Sequence, residues 1–406
     1  MTLYLGNNVK TKQPIRFSPK LLTQHCAIVG MTGSGKTGMI LGMVEDLLES
    51  NTPAVLIDIK GDMANILLQD KSFQDRLNVK IYTPGADHGT KVNIFSNMED
   101  PSRVNNAVSA LLKMIKEKDT DPVNIKHVFL STILHHNHRN NLECSLKTLI
   151  DDILEPPFVS LGKMELDAVF PDRSRQALAA KLNSLLAAPS FQDWYDGERL
   201  DLDELLKKRD DGKVNVTVYS VAHIVNEDQR MFALSLILDE MLCWMRRQEG
   251  SDDLRAVCVV DECAGILPPY PANPPTKLPV MTMLKQARAF GLGLILSSQN
   301  PMDFDYKAMS NCGTWIIGRL QMKNDRERVL DAVTSSNPYG RQTLNDRIAR
   351  LLPRQFTLVR QNVCEDILSK NVKCQLRGPM HPMEISSLVR KYSENVNEYE
   401  IDFGDV

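Results

Sequence analysis

The sequence predicts an α/β fold in which helices flank a mostly parallel sheet and a helical segment is inserted into the chain. Short apolar runs rich in β-branched residues alternate with longer amphipathic patterns, which is the rhythm of a parallel sheet with helices on its faces. Between residues 101 and 210 the strand pattern disappears, and amphipathic segments such as VNNAVSALLKMI and SRQALAAKLNSLL take its place. The 406 residues suffice for one large α/β domain with such an insertion, or for two ordinary domains.

The predicted strands and helices alternate through the rest of the chain. Strands are predicted at residues 26–30, 54–58, 79–82, 214–219, 256–261, 292–297 and 314–317. Helices are predicted at residues 36–48, 228–246 and 279–290. We therefore expect an N-terminal hairpin or extension (1–24), the first part of an α/β core (25–100), a helical insertion (101–210), and the second part of the core with C-terminal strands and a helix (211–406).

Composition and charge indicate a soluble globular protein. Hydrophobic residues make up 43% of the chain and charged residues 24%. The formal net charge of -3 gives no overall attraction to nucleic acid, although a ring-shaped assembly can concentrate basic side chains in a channel. The eight cysteines contain no C-x-x-C pair, which favours reduced, packed thiols. No apolar segment has the length of a membrane span, so we expect a cytoplasmic protein that does not enter a membrane.

A glycine-rich segment, HCAIVGMTGSGKTGMI, contains the first predicted core strand and runs into a predicted helix. Gly30, Gly35, Lys36 and Thr37 fit the pattern G-x-x-x-x-G-K-[ST], which in this context predicts a phosphate-binding P-loop. Backbone N–H groups and the helix N-terminus would face the phosphates of ATP, Lys36 would reach the β- and γ-phosphates, and Thr37 would ligate Mg²⁺. The alternative is a glycine-rich turn that matches by chance. The other predicted nucleotide-binding residues of this segment are Thr32, Gly33, Ser34 and Gly38.

Two carboxylates end the apolar run VCVVDECAG. Asp261 and Glu262 stand at the tip of a predicted buried strand, where charge is costly unless a partner such as a metal ion compensates it. With a P-loop in the same chain, Asp261 is predicted to act in the Mg²⁺ shell and Glu262 to take a proton from the attacking water. Strands often end in solvated acids, so this pair is weak evidence without the P-loop.

Two more predicted strands end in polar side chains, at the edge where open α/β sheets bind ligands. The run GLGLILSSQN reaches Gln299, whose amide could donate to the γ-phosphate and accept from the lytic water; an ordinary polar loop residue is the alternative. The run AVLIDIKGD contains Asp58 at the strand end, followed by Lys60 and Asp62. Asp58 is therefore a candidate for the nucleotide pocket. The three charged residues of this run could instead contact a neighbouring subunit, or simply form a charged turn.

The order of these motifs, with a catalytic glutamate on a separate strand, predicts the RecA-like core of P-loop NTPases. The segments GMTGSGKTGM, VLIDIKGDMANIL, LRAVCVVDECAGILPPYPANPPTKLPVMTMLKQARAFGLGLILSSQNPMDFDYKAMSNCGTWIIGRLQMKND and LRGPM together resemble the HerA/FtsK superfamily of P-loop ATPases. The similarity covers almost the whole chain and is greatest to HerA-like ATP-binding proteins of bacteria. HerA carries an N-terminal β-barrel ahead of its P-loop, whereas here 29 residues, with room for a hairpin, precede Gly30.

The resemblance implies a homo-oligomer, a hexamer, that hydrolyses ATP between subunits and pulls double-stranded DNA through a central pore. Carried over to this chain, Asp261 and Glu262 would bind Mg²⁺ and catalyse hydrolysis, and Gln299 would sense the γ-phosphate. An arginine of the neighbouring subunit is also expected to stabilise the charge of the transferred phosphate. The candidates for this arginine are Arg319 and Arg288, with Arg354 and Arg377 as weaker alternatives.

Partners and rival functions follow from the same resemblance. A nuclease or other effector would work with the motor in DNA processing or in defence against foreign DNA. Lys307, in the segment NPMDFDYKAMS after Gln299, could contact a DNA phosphate from a pore loop. Two other functions are typical of similar motifs: a protein-handling motor like the ATPases of type IV secretion, and a regulatory nucleotide switch that assembles with an effector.

Overall fold

A computed structural model describes residues 2–95, 98–117, 123–188, 194, 197–333, 340–361 and 363–393 of the protein. Numbered along the chain, its strands are β1 (Leu3–Asn8), β2 (Pro14–Phe17), β3 (Cys26–Val29), β4 (Ala54–Asp58), β5 (Leu77–Tyr82), β6 (Ser160–Leu161), β7 (Met164–Glu165), β8 (Val214–Ser220), β9 (Ser251–Val260), β10 (Phe290–Ser298), β11 (Thr314–Ile317), β12 (Gln355–Arg360) and β13 (Val363–Ser369). Its α-helices are α1 (Lys36–Glu49), α2 (Lys71–Gln74), α3 (Pro101–Met114), α4 (Ile125–Arg139), α5 (Leu146–Leu154), α6 (Leu166–Val169), α7 (Asp172–Ala187), α8 (Leu202–Leu205), α9 (Glu227–Arg247), α10 (Lys277–Gln286), α11 (Tyr306–Met309), α12 (Lys323–Val333), α13 (Arg341–Arg350) and α14 (Pro382–Ser393).

Within the described residues, an eleven-stranded sheet forms the core, in the order β2-β1-β13-β12-β11-β3-β10-β9-β4-β8-β5. The strands from β11 to β5 in this order pair in parallel. The remaining strands extend the β11 side in antiparallel pairs. Because the parallel strands share one direction, the carboxyl ends of β3, β4, β9 and β10 meet at a single edge, where α/β sheets bind ligands.

Helices cover both faces of the parallel part of the sheet. Along β3, Ala27 and Val29 join one hydrophobic cluster, whereas Cys26 and Ile28 join the other. This alternation follows from the two-residue period of a strand, and burial on both faces requires the continuous apolar run seen in the sequence. Helix α1 packs in the cluster of Cys26 and Ile28, while α9 and the helices of the insertion pack in the opposite one.

The predicted α/β fold with a mostly parallel sheet is confirmed, and several predicted bounds need correction. The strands predicted at 54–58 and 314–317 coincide with β4 and β11. Strands β9 and β10 begin earlier than predicted, because Phe290 already pairs with Ser251. The charged residues after Ser251 and the glycine after Phe290 hide this first part of each strand in the sequence. The helix predicted at 279–290 therefore ends sooner. It is α10, followed by a 3₁₀ turn at Ala287–Ala289.

The sequence prediction gave no bounds for two strand pairs. A short hairpin, β6 with β7, lies in the region where the strand pattern was expected to be absent. The C-terminal strands, which were expected without bounds, are β12 and β13. The connection between them contains no glycine or proline, and Asn362 is the one residue in it of a type common in turns, so the signal that divides them is weak.

The N-terminal hairpin of β1 and β2 is an extension of the main sheet. On its other side β1 pairs with β13, in the register Gly6 to Ser369, Asn7 to Leu368 and Asn8 to Ile367. Leu3 and Leu5 of β1 are buried against the same side of the sheet as α1. The N-terminal hairpin is thus held to the C-terminal strand β13 by one antiparallel ladder.

The cysteines all lie within the described residues. Each of the eight cysteines is a free thiol. Burial raises the pKa of Cys258 to about 12, so this thiol is packed rather than reactive. Among the described helices, none combines the length and the apolar character that crossing a membrane requires.

Gly6 is the position in β1 where an added side chain should be most disruptive. Its φ is +140°, and a Cβ atom there would lie 2.0 Å from the carbonyl oxygen of Leu368 in β13. We expect Gly6→Ala to lower the free energy of unfolding by about 2 to 4 kcal/mol, through backbone strain and steric overlap. Urea unfolding measures this loss. Gly212→Ala is the control, because Gly212 has a φ of +77° with no atom within 4 Å of the added Cβ. An equal loss in both variants would contradict the importance of the contact between β1 and β13.

Candidate nucleotide-binding and hydrolysis site

The glycine-rich segment forms a tight loop between β3 and α1. Gly35 is the N-cap of α1, and its φ of 93° is a left-handed conformation that glycine adopts without strain. The N–H of Ser34 donates to the carbonyl oxygen of Met31 at 3.1 Å, which closes the loop. Thr32 and Gly33 are exposed at its tip. The loop therefore presents the N-terminus of a long helix, which is suited to bind an anion.

Lys36 and Thr37 follow the loop in the first turn of α1. Lys36 is 8% exposed, and its Nζ donates to the carbonyl oxygens of Gly30 at 2.5 Å and Met31 at 3.2 Å. Burial lowers the pKa of this lysine to about 8. The Oγ1 atom of Thr37 lies 3.5 Å from Oδ2 of Asp62. The ammonium group thus lies over the loop, where phosphate oxygens would be stronger acceptors than the two carbonyls.

Asp58 and Asp261 lie side by side at the ends of neighbouring parallel strands. Asp58 is the last residue of β4, and Asp261 follows β9 and donates its N–H to the carbonyl oxygen of Ile57 at 3.2 Å. Their side chains are fully buried, and the Oδ2 atoms of both lack a hydrogen-bond partner among the described residues. Burial raises the pKa of Asp58 to about 7, helped by the charge of Asp261, and raises the pKa of Asp261 to about 6.

A third acid completes a group suited to a divalent cation. Carboxylate oxygens of Asp58, Asp62 and Asp261, which we call the three-aspartate cluster, lie within 4.8 Å of one another. Mg²⁺ prefers oxygen ligands such as carboxylates and hydroxyls. The buried oxygens of Asp58 and Asp261 without partners are the kind of atom that a bound cation satisfies. The side chains of the cluster, with Thr37 beside them, therefore fit a Mg²⁺ site next to the P-loop.

Glu262 and Gln299 meet where β9 and β10 end. The N–H of Gln299 donates to Oε1 of Glu262 at 3.4 Å, and the hydroxyl of Thr32 donates to Oε1 of Gln299 at 2.5 Å. The other carboxylate oxygen, Oε2 of Glu262, lies 2.9 Å from Nζ of Lys60. Gln299 thus connects the tip of the P-loop, through its side-chain oxygen, and a carboxylate that could act as a base, through its backbone N–H.

Two of the four candidate arginines contact the P-loop of their own chain. The carbonyl oxygen of Arg319 accepts the N–H of Met31 at 2.9 Å, and the N–H of Arg354 donates to the carbonyl oxygen of Ser34 at 2.9 Å. The Nε atom of Arg319 is buried without a hydrogen-bond partner among the described residues. These backbone contacts hold the loop on the side away from the acids. The guanidinium of Arg354 itself donates to the carbonyl oxygen of Ser369 at 2.8 Å, so this side chain is held at the end of β13.

Of the other two arginines, Arg288 lies away from this site and Arg377 is held in an ion pair. Arg288 is exposed in the 3₁₀ turn before β10, at the opposite end of that strand from Gln299. Any contact of Arg288 with a phosphate would therefore have to occur at the site of a neighbouring copy. Arg377 forms an ion pair with Glu384 at 2.5 Å. Which arginine acts between subunits stays a prediction.

The segment between β13 and α14 crosses α1 just behind the P-loop. The backbone N–H groups of Lys373 and Cys374 donate to Oε1 of the buried Glu45 in α1, at 2.8 and 2.9 Å. A Cβ atom at Gly38 would lie 3.2 Å from the side chain of Leu376. Gly38, predicted as a nucleotide-binding residue, thus also lets this segment approach the first turn of the helix.

Comparison with known families agrees with this geometry. A family model described as the central domain of the helicase HerA matches residues 3–241, which is more than half of the chain. The chain belongs to this HerA family. The matched region contains the P-loop and Asp58 but ends before Asp261 and Glu262. In this HerA-family chain the acid pair lies outside the matched region. The pairing of β4 with β9 is what brings the pair to the P-loop edge.

Curated relatives of this HerA-family chain include archaeal helicases. The DNA double-strand break repair helicase HerA of Sulfurisphaera tokodaii is 24% identical over 342 residues, which cover 83% of this chain and 62% of that protein. A probable helicase of Methanocaldococcus jannaschii is 22% identical over 322 residues, which cover 76% of this chain and 55% of that protein. The chain thus spans between 55% and 62% of the length of these two relatives.

Solved structures with a similar fold include two bacterial proteins. The structure of VirB4 of Thermoanaerobacter pseudethanolicus has a TM-score of 0.65 and 12% identity, covering 91% of this chain and 96% of that one. The plasmid coupling protein TrwB, in complex with ADP and Mg²⁺, has a TM-score of 0.60 and 14% identity, covering 90% of both chains. At such identities the likeness establishes the fold of the HerA-family chain alone.

Lys60 and Asp62 are the side chains whose importance the sequence analysis left open. Both follow Asp58 in the segment AVLIDIKGD, at intervals of two residues. The signal that could have singled them out is the position of this turn, because β4 lies beside the strand that carries the acid pair. Lateral strand order is absent from the sequence, so the turn could not be assigned to the site before the structure was known.

The buried Asp58 should destabilise the protein wherever it is ionised and no cation is bound. Its pKa is about 7 in the folded protein and ordinarily 3.8, so the stability it contributes below pH 4 is lost as the pH rises through 7. We expect Asp58→Asn to raise the melting temperature at pH 8 in EDTA by roughly 2 °C or more, and by less at pH 5. Mg²⁺ should stabilise the wild type but not the variant. A lower melting temperature of the variant at pH 8 in EDTA would contradict this account.

Proposed function

We propose that this protein is a Mg²⁺-dependent ATP hydrolase that works as a DNA motor. The contact between Thr37 and Asp62 carries the first part, because it joins the P-loop to the three-aspartate cluster. Nucleoside triphosphate hydrolysis by P-loop enzymes uses a phosphate-binding loop and a cation site at one place. Membership of the HerA family supports the same assignment. So does the similar fold of TrwB, which was solved with ADP and Mg²⁺.

Binding of ATP would use the first turn of α1. Phosphate oxygens would replace the carbonyls of Gly30 and Met31 as acceptors for Nζ of Lys36, because charged acceptors form stronger hydrogen bonds. Thr37 and the three-aspartate cluster would hold Mg²⁺, which when bound neutralises charge on the phosphates. The exposed loop tip leaves the side of Thr32 open to the γ-phosphate.

Hydrolysis would use the two side chains at the ends of β9 and β10. Glu262 takes a proton from the attacking water, a contribution that general bases make at about 10²- to 10⁴-fold in rate. The side-chain oxygen of Gln299 accepts the hydroxyl of Thr32 and its backbone N–H donates to Glu262, so its amide would lie between the P-loop tip and the base. Hydrolysis would then alter the loop that follows Gln299, which begins with Asn300.

Assembly into a ring, a hexamer in the family that the sequence resembles, is the next part of the proposal. The loops after β9 and β10 are joined by an ion pair between Lys277 and Asp305 at 2.8 Å. Tyr270, Leu278 and Tyr306, on or beside these loops, are 90%, 65% and 53% exposed. Exposed large apolar side chains at a ligand-binding edge favour contact with another protein surface. A neighbouring copy seated there would complete each site with an arginine.

Double-stranded DNA is the proposed substrate of the motor, with a nuclease or other effector as its partner in DNA processing or defence. The relatives named as DNA double-strand break repair helicases support this substrate. Lys307 is exposed on α11, in the loop that begins one residue after Gln299. A change at the γ-phosphate could therefore move a cation that touches the DNA backbone.

Glu262→Gln should separate nucleotide binding from hydrolysis. The amide keeps the size of the side chain but cannot accept a proton at neutral pH, so we expect ATP turnover to fall about 100-fold or more. Affinity for a fluorescent ATP analogue should change less than about threefold. Lys36→Ala is the matched variant, and it should lose binding itself because its ammonium group is removed from the loop. Normal turnover of Glu262→Gln would show that another group is the base.

Duplex DNA should accelerate ATP turnover severalfold, and the gain should disappear as salt rises, because phosphate contacts release counterions. Lys307→Ala should reduce the stimulation and leave DNA-free turnover unchanged. Lys10→Ala is the control, since Lys10 is exposed in the hairpin turn between β1 and β2. Particle mass measured with ATP present tests the ring. Turnover that stays flat across DNA concentrations would refute DNA translocation and favour a protein-handling motor or a regulatory switch.

A further inference from the structure

Four carboxylates gather at the edge of the sheet beside the P-loop, but only three of them converge. Among the described residues the cation-suited group consists of Asp58, Asp62 and Asp261, and Glu262 is outside it. Glu262 is adjacent in sequence to Asp261 and is 8% exposed, so little water screens it from that neighbouring charge. A fourth carboxylate in such a place would be drawn to any bound cation unless another group held it.

Lys60 is the group that holds Glu262. Its Nζ lies 2.9 Å from Oε2 of Glu262, and the two side chains are 29% and 10% exposed. Partial burial of both groups reduces the screening of this ion pair, in contrast to pairs at the open surface. The opposite oxygen, Oε1, accepts the N–H of Gln299. The carboxylate is therefore fixed from two sides, by the turn after β4 and by the end of β10.

The turn that carries Lys60 is itself fixed. The N–H of Gly61 donates to Oδ1 of Asp58 at 2.7 Å, and the carbonyl oxygen of Gly61 accepts the N–H of Met380 at 3.2 Å. The first contact ties the turn to the cluster, and the second ties it to the segment before α14. The ammonium group consequently approaches Glu262 from an anchored backbone rather than from a free loop.

We propose that Lys60 is a positioning residue for ATP hydrolysis: it holds Glu262 apart from the three-aspartate cluster and keeps its carboxylate available to the attacking water. The inference rests on the proposed function, because it assigns a role in that reaction. Direct binding of phosphate would be a different role for Lys60. Lys36, in the first turn after the P-loop, is the lysine placed for that role. The two roles differ in what they change, since a positioning residue affects kcat and a phosphate ligand affects nucleotide affinity.

The test compares full-length Lys60→Met and Lys60→Arg with the wild type. Methionine keeps the length of the side chain without its charge, so we expect kcat to fall about 10- to 100-fold, within the range that a general base contributes. KM and affinity for a fluorescent ATP analogue should stay within about twofold. Arginine keeps the cation and should restore most of the turnover. Unchanged melting temperatures would exclude misfolding as the cause.

A double variant distinguishes action through Glu262 from an independent effect. If Lys60 works by placing that carboxylate, Lys60→Met should lower single-turnover rates no further when Glu262 is already Gln. An additional tenfold loss in the double variant, or a large loss of nucleotide affinity in Lys60→Met, would overturn the inference. Wild-type kcat in Lys60→Met together with an inactive Glu262→Gln would overturn it while leaving the proposed function intact. A wild type that does not hydrolyse ATP would end both.

Discussion

The burial of Asp58 and Asp261 beside one another is the constraint around which the candidate site is built. Adjacent parallel strands must be apolar along their length, so charges that follow them enter a region with little water. Burial raises the pKa of both carboxyls, and the charge of Asp261 adds to the rise at Asp58. Lys36 and Lys60 offset this charge at Asp261, and in the proposed function a cation held with Asp62 would do the same. Without the buried charge of Asp58 and Asp261, the neighbouring charged groups would have no electrostatic reason to lie at this edge.

Sequence reasoning reached the fold and the separate motifs, because each has a local signal. The continuous apolar runs of β3, β4 and β9 could be read directly, and the P-loop was defined by its spacing. The proposed roles of Lys60 and Asp62 could not be predicted, because they depend on β4 lying next to β9. The order of the strands across the sheet has no local signal in the sequence. The hairpin of β12 and β13 was unresolved for a different reason, the absence of glycine or proline at its turn. Arg288 shows that closeness in sequence does not place a residue at the site. It precedes β10, whereas Gln299 follows the opposite end of that strand.

The site is assembled from segments that are distant along the chain, and this arrangement bears on how a HerA-family protein could respond to nucleotide. Thr32, Gln299 and Glu262 form one continuous set of hydrogen bonds across three strands. Under the proposed function, a change at the loop tip would reach the base through these contacts. The loop after Gln299 carries Lys307, so the same set of contacts leads outward from the nucleotide edge to an exposed surface.

The pairing of β1 with β13 has a consequence for synthesis of the protein. The amino-terminal hairpin leaves the ribosome long before its partner strand has been translated, and until then the edge of β1 has unpaired backbone groups. Exposed strand edges on nascent chains are prone to pair with other chains, and ladders between distant segments form slowly. The ladder can form only after β13, which begins at Val363, has been translated. Production of this protein should therefore be sensitive to translation speed and to the supply of chaperones that shield such edges.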